Sequence, residues 1–112
     1  MTRKIAIPVA SALLCPHFGH CEQFFVYDVE GSTVMKEAQL TPPPHEPGVL
    51  PKWLAENNVT DVISGGMGQR AINIFNQEHI NVFVGAPAIP PSEIISQFLS
   101  GTLETRANLC DH

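Results

Sequence analysis

The spacing of hydrophobic residues changes along this chain, from every second residue near its start to every third or fourth residue in later segments. Alternation predicts β-strands, and the wider spacing predicts helices with one apolar side. Three strand-like segments and a helix come first, and two strand–helix pairs follow. The predicted element order is β-β-β-α-β-α-β-α, which is typical of an α/β domain.

Turn and cap residues define the predicted elements. The predicted strands cover residues 4–10, 24–29, 33–39, 61–64 and 81–85, and the helices cover residues 49–58 and 69–78 and a third segment from Ser92, its N-cap, to Gly101. Right-handed strand–helix–strand connections place the last two strands parallel on one side of the sheet and the hairpin on the other. We predict a ribonuclease-H-like three-layer domain with a mixed five-stranded sheet, in the order 3-2-1-4-5, flanked by helices. It should cover residues 1–101, and residues 102–112 form a polar C-terminal tail.

Composition limits the classes of protein that this chain can belong to. Its 112 residues fit one domain, and its hydrophobic fraction of 44% is sufficient for a core. No apolar run approaches the ~20 residues that a membrane-spanning helix needs. The start of the chain faintly resembles a signal peptide, but Pro8 interrupts it and no small-residue cleavage site follows Leu14. We expect a cytoplasmic protein without membrane contact.

Charge, cysteine content and missing motifs exclude further classes. The net charge is -5 and the six Lys and Arg are dispersed, whereas nucleic-acid binding needs clustered cations. An odd number of cysteines, three, does not indicate a disulfide framework. The chain has no nucleophile elbow and no zinc-deaminase signature, and its first strand lacks the carboxylates of a two-metal nuclease. We predict that the protein is not an enzyme.

The predicted topology brings distant segments to one edge of the sheet. Strands one, three, four and five run in one direction, and residues 15–21, 42–48, 65–68 and 85–91 follow their carboxyl ends. Ligands of open α/β sheets bind at this edge. The eleven residues after Gly101 span up to roughly 36 Å when extended, so the tail can return to the same crevice.

Soft metal donors concentrate in residues 15–21, which read CPHFGHC. Cysteine and histidine suit zinc, copper or iron, although this spacing matches no standard zinc finger or ribbon. The candidate metal ligands are His17, His20, Cys21, His45, Cys110 and His112. The alternative is a loop of hydrogen-bonded histidines and partly buried thiols, and for Cys15 we favour that interpretation. Phe18 is expected to anchor the loop, and Gly19 to form a tight turn.

A second pattern, GGMG at residues 65–68, connects a strand to a helix. Its small residues allow backbone amides to approach an anion at the helix N-terminus, and Arg70 adds a cation. It lacks the P-loop lysine and the complete dinucleotide fingerprint. The alternative is close packing of helix on strand.

The segments IPV, HFGHCEQF, PPPHEPGVLPKWL, DVISGGMGQRAINIF, VFVGA and the final CDH resemble the dinitrogenase iron-molybdenum cofactor biosynthesis family over almost the whole chain. The resemblance implies a ribonuclease-H-like domain related to nitrogenase cofactor accessory proteins and to orange protein, which hold iron-molybdenum cofactor or a molybdenum-copper sulfide cluster. The implied cofactor contacts are His17, Phe18, Gly19, Gly65, Gly66, Met67 and Gly68, with Arg70 beside them. His20-Cys21 departs from the HFGR-type loop of many members, and the added donors favour direct metal coordination.

We therefore hypothesise a carrier or scaffold for a metal-sulfur cluster that contains iron or molybdenum, or copper, in cofactor assembly or storage. Backbone amides at residues 65–68 would complement an anionic cluster, and cysteine and histidine would bind its metal atoms. Its expected partner is an iron-sulfur ATPase or a cofactor-assembly protein, and the expected state is a monomer or weak homo-oligomer. Two alternatives stay open: a metal-free interaction or regulatory module, and a small zinc-binding protein.

Overall fold

The computed structural model describes residues 2–16, 18, 21–43 and 48–107. These residues form a mixed α/β fold in which one sheet is flanked by helices. The strands are β1 (Thr2–Ala10), β2 (Leu13–Leu14), β3 (Gln23–Glu30), β4 (Thr33–Leu40), β5 (Asp61–Ile63), β6 (Asn81–Val84) and β7 (Arg106–Ala107). The helices are α1 (Val49–Glu56), α2 (Gln69–Gln77) and α3 (Pro91–Ser100).

The sheet has seven strands, so the predicted count of five was wrong. The order is β4-β3-β1-β5-β6-β7, and β2 pairs with β1 beside this path. The predicted order 3-2-1-4-5 needs correction accordingly, because it omits the two-residue strands β2 and β7, which are too short to show alternation. β1, β5 and β6 are parallel to one another, and β1–β3, β3–β4 and β6–β7 are antiparallel.

Helices cover both faces of the sheet, because the strand side chains alternate between two hydrophobic clusters. On one face, α1 and α2 contribute buried residues to a cluster that includes Ala6 and Phe24. On the other face, Ile94 and Ile95 of α3 pack in a cluster with the odd-numbered apolar residues of β1, which are Ile5, Ile7 and Val9. Their spacing at every second residue of the sequence predicts this common face of the strand, and the structure confirms it.

A tight hairpin connects β1 to β2 next to the point where β5 ends. β5 pairs with Ile5 and Ala6, whereas Val9 and Ala10 pair with β2. The two turn residues, Ser11 and Ala12, both have positive φ angles, of 54° and 67°. This turn directs the chain into residues 15–21 at the carboxyl edge of the parallel strands.

The helices begin without a side-chain cap. Pro90 precedes α3 and Pro91 is its first residue, so the prediction that Ser92 is the N-cap was wrong. Proline is favoured at this first position because its missing N–H has no partner there in any case. Gly101, with a φ angle of 79°, ends the helix as predicted. No helix among the described residues has the length and apolar character required to cross a membrane.

Candidate functional site

The loop at residues 15–21 starts and ends on the last residues of β1. The Cys15 N–H donates to the Pro8 carbonyl at 2.8 Å, and the Glu22 N–H donates to the Val9 carbonyl at 2.9 Å. The Glu22 carboxylate also accepts a hydrogen bond from the Ser11 N–H at 3.1 Å, which holds the preceding hairpin. Both ends of the loop are therefore fixed to the central strand.

Two reciprocal hydrogen bonds join this loop to the GGMG turn. The Phe18 N–H donates to the Gly66 carbonyl at 3.0 Å, and the Gly66 N–H donates to the Pro16 carbonyl at 2.6 Å. Segments that are about fifty residues apart in sequence thus share one backbone ladder. The predicted proximity of these two loops is observed in the structure.

Gly65 lies directly against the backbone of residues 15–16. A Cβ atom at Gly65 would be 3.0 Å from the Pro16 Cα, 3.1 Å from the Pro16 oxygen and 3.2 Å from the Cys15 oxygen. The Gly65 carbonyl accepts a hydrogen bond from the Gly85 N–H at 2.7 Å. Gly65 therefore connects the loops that follow β2, β5 and β6, and a Cβ at this position would require the backbone of residues 15–16 to shift.

Phe18 anchors the loop in the core. Its ring is buried and makes edge-to-face contacts with Phe24 and Phe75, with centroid separations of 5.8 Å and 5.5 Å. The backbone of Phe18 is held at the same time by Gly66. The anchoring role that the sequence predicted for Phe18 agrees with this position.

Cys21 supplies a soft donor at the rim of the site. Its half-buried side chain packs against the core cluster of α1 and α2, as does the half-buried Met67 of the GGMG turn. Burial, and secondarily the nearby Cys15, raise the pKa of the Cys21 thiol to about 11. The thiol is therefore protonated at neutral pH, and a metal that binds its sulfur must displace the proton.

Two of the four residues in the predicted anion cradle use backbone groups to hold the protein together. The Gly66 N–H and the Gly65 carbonyl are engaged as described above. Gly68 is exposed, precedes α2 with extended backbone angles, and would have no atom within 4 Å of an added Cβ. The part of the turn that faces outward is thus centred on Met67, Gly68 and the first turn of α2.

Arg70 lies in that first turn and lines an open groove between α1 and α2. Lys52 of α1 lines the same groove. Both side chains are exposed. The predicted cation beside the cradle is therefore accompanied by a second one that the sequence analysis did not select, because helix spacing alone does not reveal which residues of two helices lie side by side.

Several predicted ligands lie outside the described residues, namely His17, Gly19, His20, His45, Cys110 and His112. Within the described part of the chain, no three His, Cys, Asp or Glu side chains come together as a metal site. The last described strand, β7, runs antiparallel to β6, with Arg106 opposite Val84 and Ala107 opposite Phe83. The chain at Ala107 therefore points away from the edge that carries the candidate site.

Sequence reasoning did not identify the residues that brace the site. Pro16 supplies a backbone acceptor and Glu22 a side-chain acceptor, and neither belongs to a motif of metal chemistry. Leu14 is another brace, since its N–H donates to the Ile89 carbonyl at 2.9 Å. A signal for Glu22 was available, because an acidic residue directly after the Cys-His loop is close enough in sequence to reach the hairpin.

The fold and site define a small α/β domain with several loops joined at one edge of its sheet. The sequence model of the family described as "Dinitrogenase iron-molybdenum cofactor" matches residues 1–101. The chain belongs to this family, which confirms the resemblance.

Individual relatives match nearly the whole chain in sequence or in structure. An uncharacterised protein of Methanocaldococcus jannaschii, MJ0580, is 31% identical over 106 residues, which are 90% of this chain and 89% of that protein. The crystal structure of PH0822 has a TM-score of 0.85 at 30% identity and covers 91% of this chain and 93% of its own. The apo form of the orange protein of Desulfovibrio gigas has a TM-score of 0.77 at 20% identity, covering 95% and 94% of the two chains. At that identity the orange protein supports the fold alone.

Proposed function

We propose that this protein is a non-enzymatic carrier or scaffold for an anionic metal-sulfur cluster that contains iron, molybdenum or both, used in cofactor assembly or storage. The observation that carries the proposal is the joint between the loop at residues 15–21 and the GGMG turn. In this joint Gly66 accepts a hydrogen bond from the Phe18 N–H and donates one to the Pro16 carbonyl, so only backbone atoms are involved. The joint sets a soft-donor loop beside a turn of small residues, in a chain of the iron-molybdenum cofactor family.

The chemistry of the described residues is compatible with such a cargo. Cys21 provides a thiol that becomes a thiolate ligand when a metal displaces its proton. Amides at a helix N-terminus favour negative charge, and Gly68 leaves the start of α2 open to solvent. The protein's contribution is to bind and orient the cluster and to shield one side of it, while the redox properties belong to the cluster itself.

The remaining donors of the predicted set complete the proposal. His17 and His20 belong to the same loop as Cys21, and we assign them to the metal atoms of the cargo. His45, Cys110 and His112 are kept as further candidate contacts. In the same proposal, the fold is ribonuclease-H-like and the partner is an iron-sulfur ATPase or another cofactor-assembly protein that delivers or receives the cluster.

The test is metal and sulfide analysis of protein purified without oxygen, followed by reconstitution with iron, sulfide and molybdate. The expected result is near-stoichiometric cluster in the unaltered protein and a clear loss in Cys21→Ser. Cys15→Ala is the matched control, because Cys15 is a buried residue at the start of the same loop and is not assigned as a ligand.

Three outcomes contradict the proposal or part of it. Equal cluster content in Cys21→Ser and in the unaltered protein removes Cys21 from the ligand set. If zinc is the sole metal found and the protein takes up no iron or molybdenum, the protein is a small zinc-binding protein and not a cluster carrier. A protein that takes up no metal under any condition is an interaction module, and the carrier function is then rejected.

A further inference from the structure

The groove between α1 and α2 is a surface feature that shares only Arg70 with the proposed cluster site. It encloses about 590 Å³ and is open to solvent on one side. Its lining combines apolar and charged side chains, including Val49, Lys52, Trp53, Glu56, Arg70 and Ile74. Aromatic residues and arginine, both present here, are enriched in protein-binding surfaces.

The positive charge in the groove is unneutralised within the described structure. Neither Lys52 nor Arg70 is within ion-pair distance of a carboxylate of the described residues. By contrast, Arg3 pairs with Asp61 at 2.7 Å. Two of the six lysines and arginines of a chain with a net charge of -5 thus line one groove, and neither has an ion-pair partner in the part of the chain that the structure describes. The groove is complementary to a negatively charged occupant.

Trp53 gives the groove an apolar anchor point. One part of its half-buried ring packs on Phe24, with a centroid separation of 5.6 Å, and another part lines the groove. Tryptophan and arginine are the residue types that most often dominate the binding energy of protein interfaces. Phe24 in turn contacts Phe18, so one row of packed aromatic rings connects the groove with the loop of the candidate site.

We propose that this groove binds an acidic segment of a partner protein, with a leucine or phenylalanine of that segment packed on Trp53 and its carboxylates paired with Lys52 and Arg70. Glu56, the one carboxylate among the described residues that line the groove, disfavours acidic residues at its own end of the groove and so orients the segment. The partner docks in the groove between α1 and α2, and its docking does not require bound cluster.

The test uses the metal-free protein and the intrinsic fluorescence of Trp53, which is the only tryptophan in the chain. The probe is a synthetic ten-residue peptide of Glu and Leu with one central Phe, and the matched peptide carries Lys in place of Glu. The acidic peptide is expected to give a saturable spectral shift. Its affinity should fall as the salt concentration rises, because salt screens the attraction between exposed charges. The basic peptide should give no shift.

Variants separate a charged docking site from a general effect on the fold. Lys52→Gln and Arg70→Gln alter exposed side chains, and each should weaken binding of the acidic peptide about five-fold, the equivalent of ~1 kcal/mol for one exposed ion pair. Lys36→Gln on β4 removes the same charge at a position outside the groove and should leave the affinity unchanged.

Four results overturn the docking proposal. They are no shift with the acidic peptide, an equal shift with the basic peptide, unchanged affinity in the double variant of Lys52 and Arg70, and an equal shift with inorganic phosphate alone. Ultracentrifugation tests whether a second copy of the chain occupies the groove instead. A dimer of the unaltered protein that dissociates in the double variant would assign the groove to that second copy. Since the metal-free protein is used throughout, failure here leaves the cluster-carrier proposal standing.

Discussion

At the scale of single residues, Cys21 shows how burial controls the chemistry of the site. Burial, and secondarily the nearby Cys15, raise the pKa of the Cys21 thiol from 9.0 to about 11. We predict that alkylation of Cys21 by iodoacetamide, followed by mass spectrometry of its peptide, still accelerates between pH 9 and pH 11, because only the thiolate reacts. The same peptide in guanidinium-unfolded protein should titrate near pH 9. A midpoint near pH 9 in the folded protein would show that burial does not raise the pKa of Cys21.

The sign of this pKa shift also sets a dependence of stability on pH. The folded state favours the protonated thiol of Cys21 relative to the unfolded chain, so this group stabilises the fold fully below about pH 9. That contribution is lost as the pH rises toward the folded pKa, of about 11. Coordination of a metal by Cys21 should in addition release one proton at neutral pH.

Gly65 is the residue that most directly limits substitution in the site. In Gly65→Ala, the new Cβ meets backbone atoms of Pro16 at 3.0–3.1 Å, and the loop must shift to relieve the contact. We predict a loss of about 1–3 kcal/mol in the free energy of unfolding, the usual range for overpacking, measured by urea denaturation. The cluster content of the refolded variant should fall as well, because the joint between the two loops opens.

Gly68→Ala is the matched control for Gly65→Ala. A Cβ at Gly68 meets no atom within 4 Å, and alanine at this N-cap position costs only about 0.5 kcal/mol. Equal destabilisation by the two alanine substitutions would show that the close approach at Gly65 is unimportant.

At the scale of elements, the β1–β2 hairpin combines strain with a role in placing the site. Ser11 and Ala12 both have positive φ, which two-residue hairpins usually assign to Asn and Gly. We predict that the double variant Ser11→Asn, Ala12→Gly raises the free energy of unfolding by about 1 kcal/mol, since it relieves two unfavourable backbone conformations. Thermal unfolding followed by circular dichroism measures the effect.

The control for the hairpin variant is Ala88→Gly. Ala88 is exposed and is absent from the residues with positive φ, so glycine there gains no relief of strain and only increases the freedom of the unfolded chain. Stabilisation by this glycine as well, or no gain in the hairpin variant, would rule out strain in the turn of residues 11–12.

A buried polar cluster ties three parallel strands together at the edge opposite the site. Asp61 is 1% exposed and accepts hydrogen bonds from Arg3 at 2.7 Å and 3.3 Å, from Thr60 at 2.6 Å and from Asn81 at 3.2 Å. The Arg3 guanidinium also lies 5.0 Å from the ring centroid of Phe98. We predict that Asp61→Asn costs about 2 kcal/mol in the free energy of unfolding, below the range for a wholly buried pair because Arg3 is partly exposed.

The control for Asp61→Asn is Asp28→Asn. The Asp28 carboxylate lies 3.9 Å from the Lys4 ammonium, and both side chains are more than one-third exposed. The substitution should therefore cost less than about 0.5 kcal/mol in the free energy of unfolding. Urea denaturation of both variants at neutral pH makes the comparison, and similar losses would mean that the buried network does not hold the strands.

The elements that the sequence reveals are those whose burial follows a regular period. β1 alternates between two cores, so its faces could be read from Ile5, Ile7 and Val9 alone. β2 could not be found, because its turn lacks the Asn-Gly signal, and β7 could not, because two residues cannot alternate. Nor does periodicity reveal that Gly66 forms backbone hydrogen bonds with Pro16 and Phe18, since such contacts depend on how the loops pack between the helices and strands.

At the scale of the whole molecule, both edges of the sheet are protected against further strands. β4 carries Lys36 in its middle and a register irregularity opposite Asp28 and Val29, and β7 has two residues within the range that the structure describes. Charged residues, bulges and very short strands are the common devices that prevent edge-to-edge association. Interactions of this protein are therefore directed to its loops and helix faces, where the candidate cluster site and the α1–α2 groove lie.

The C-terminal segment gives the last prediction. β7 extends the sheet beyond Gly101, and Leu103 packs against the cluster under α3. A chain shortened to end at Gly101 loses both contacts and should be less stable by about 2 kcal/mol, whereas one that ends at Ala107 keeps them and should match the full chain in thermal unfolding. The chain that ends at Ala107 also lacks Cys110 and His112, the candidate cluster contacts of the tail, so its cluster content should be lower than that of the full chain. Equal cluster content in the two chains would remove both residues from the ligand set.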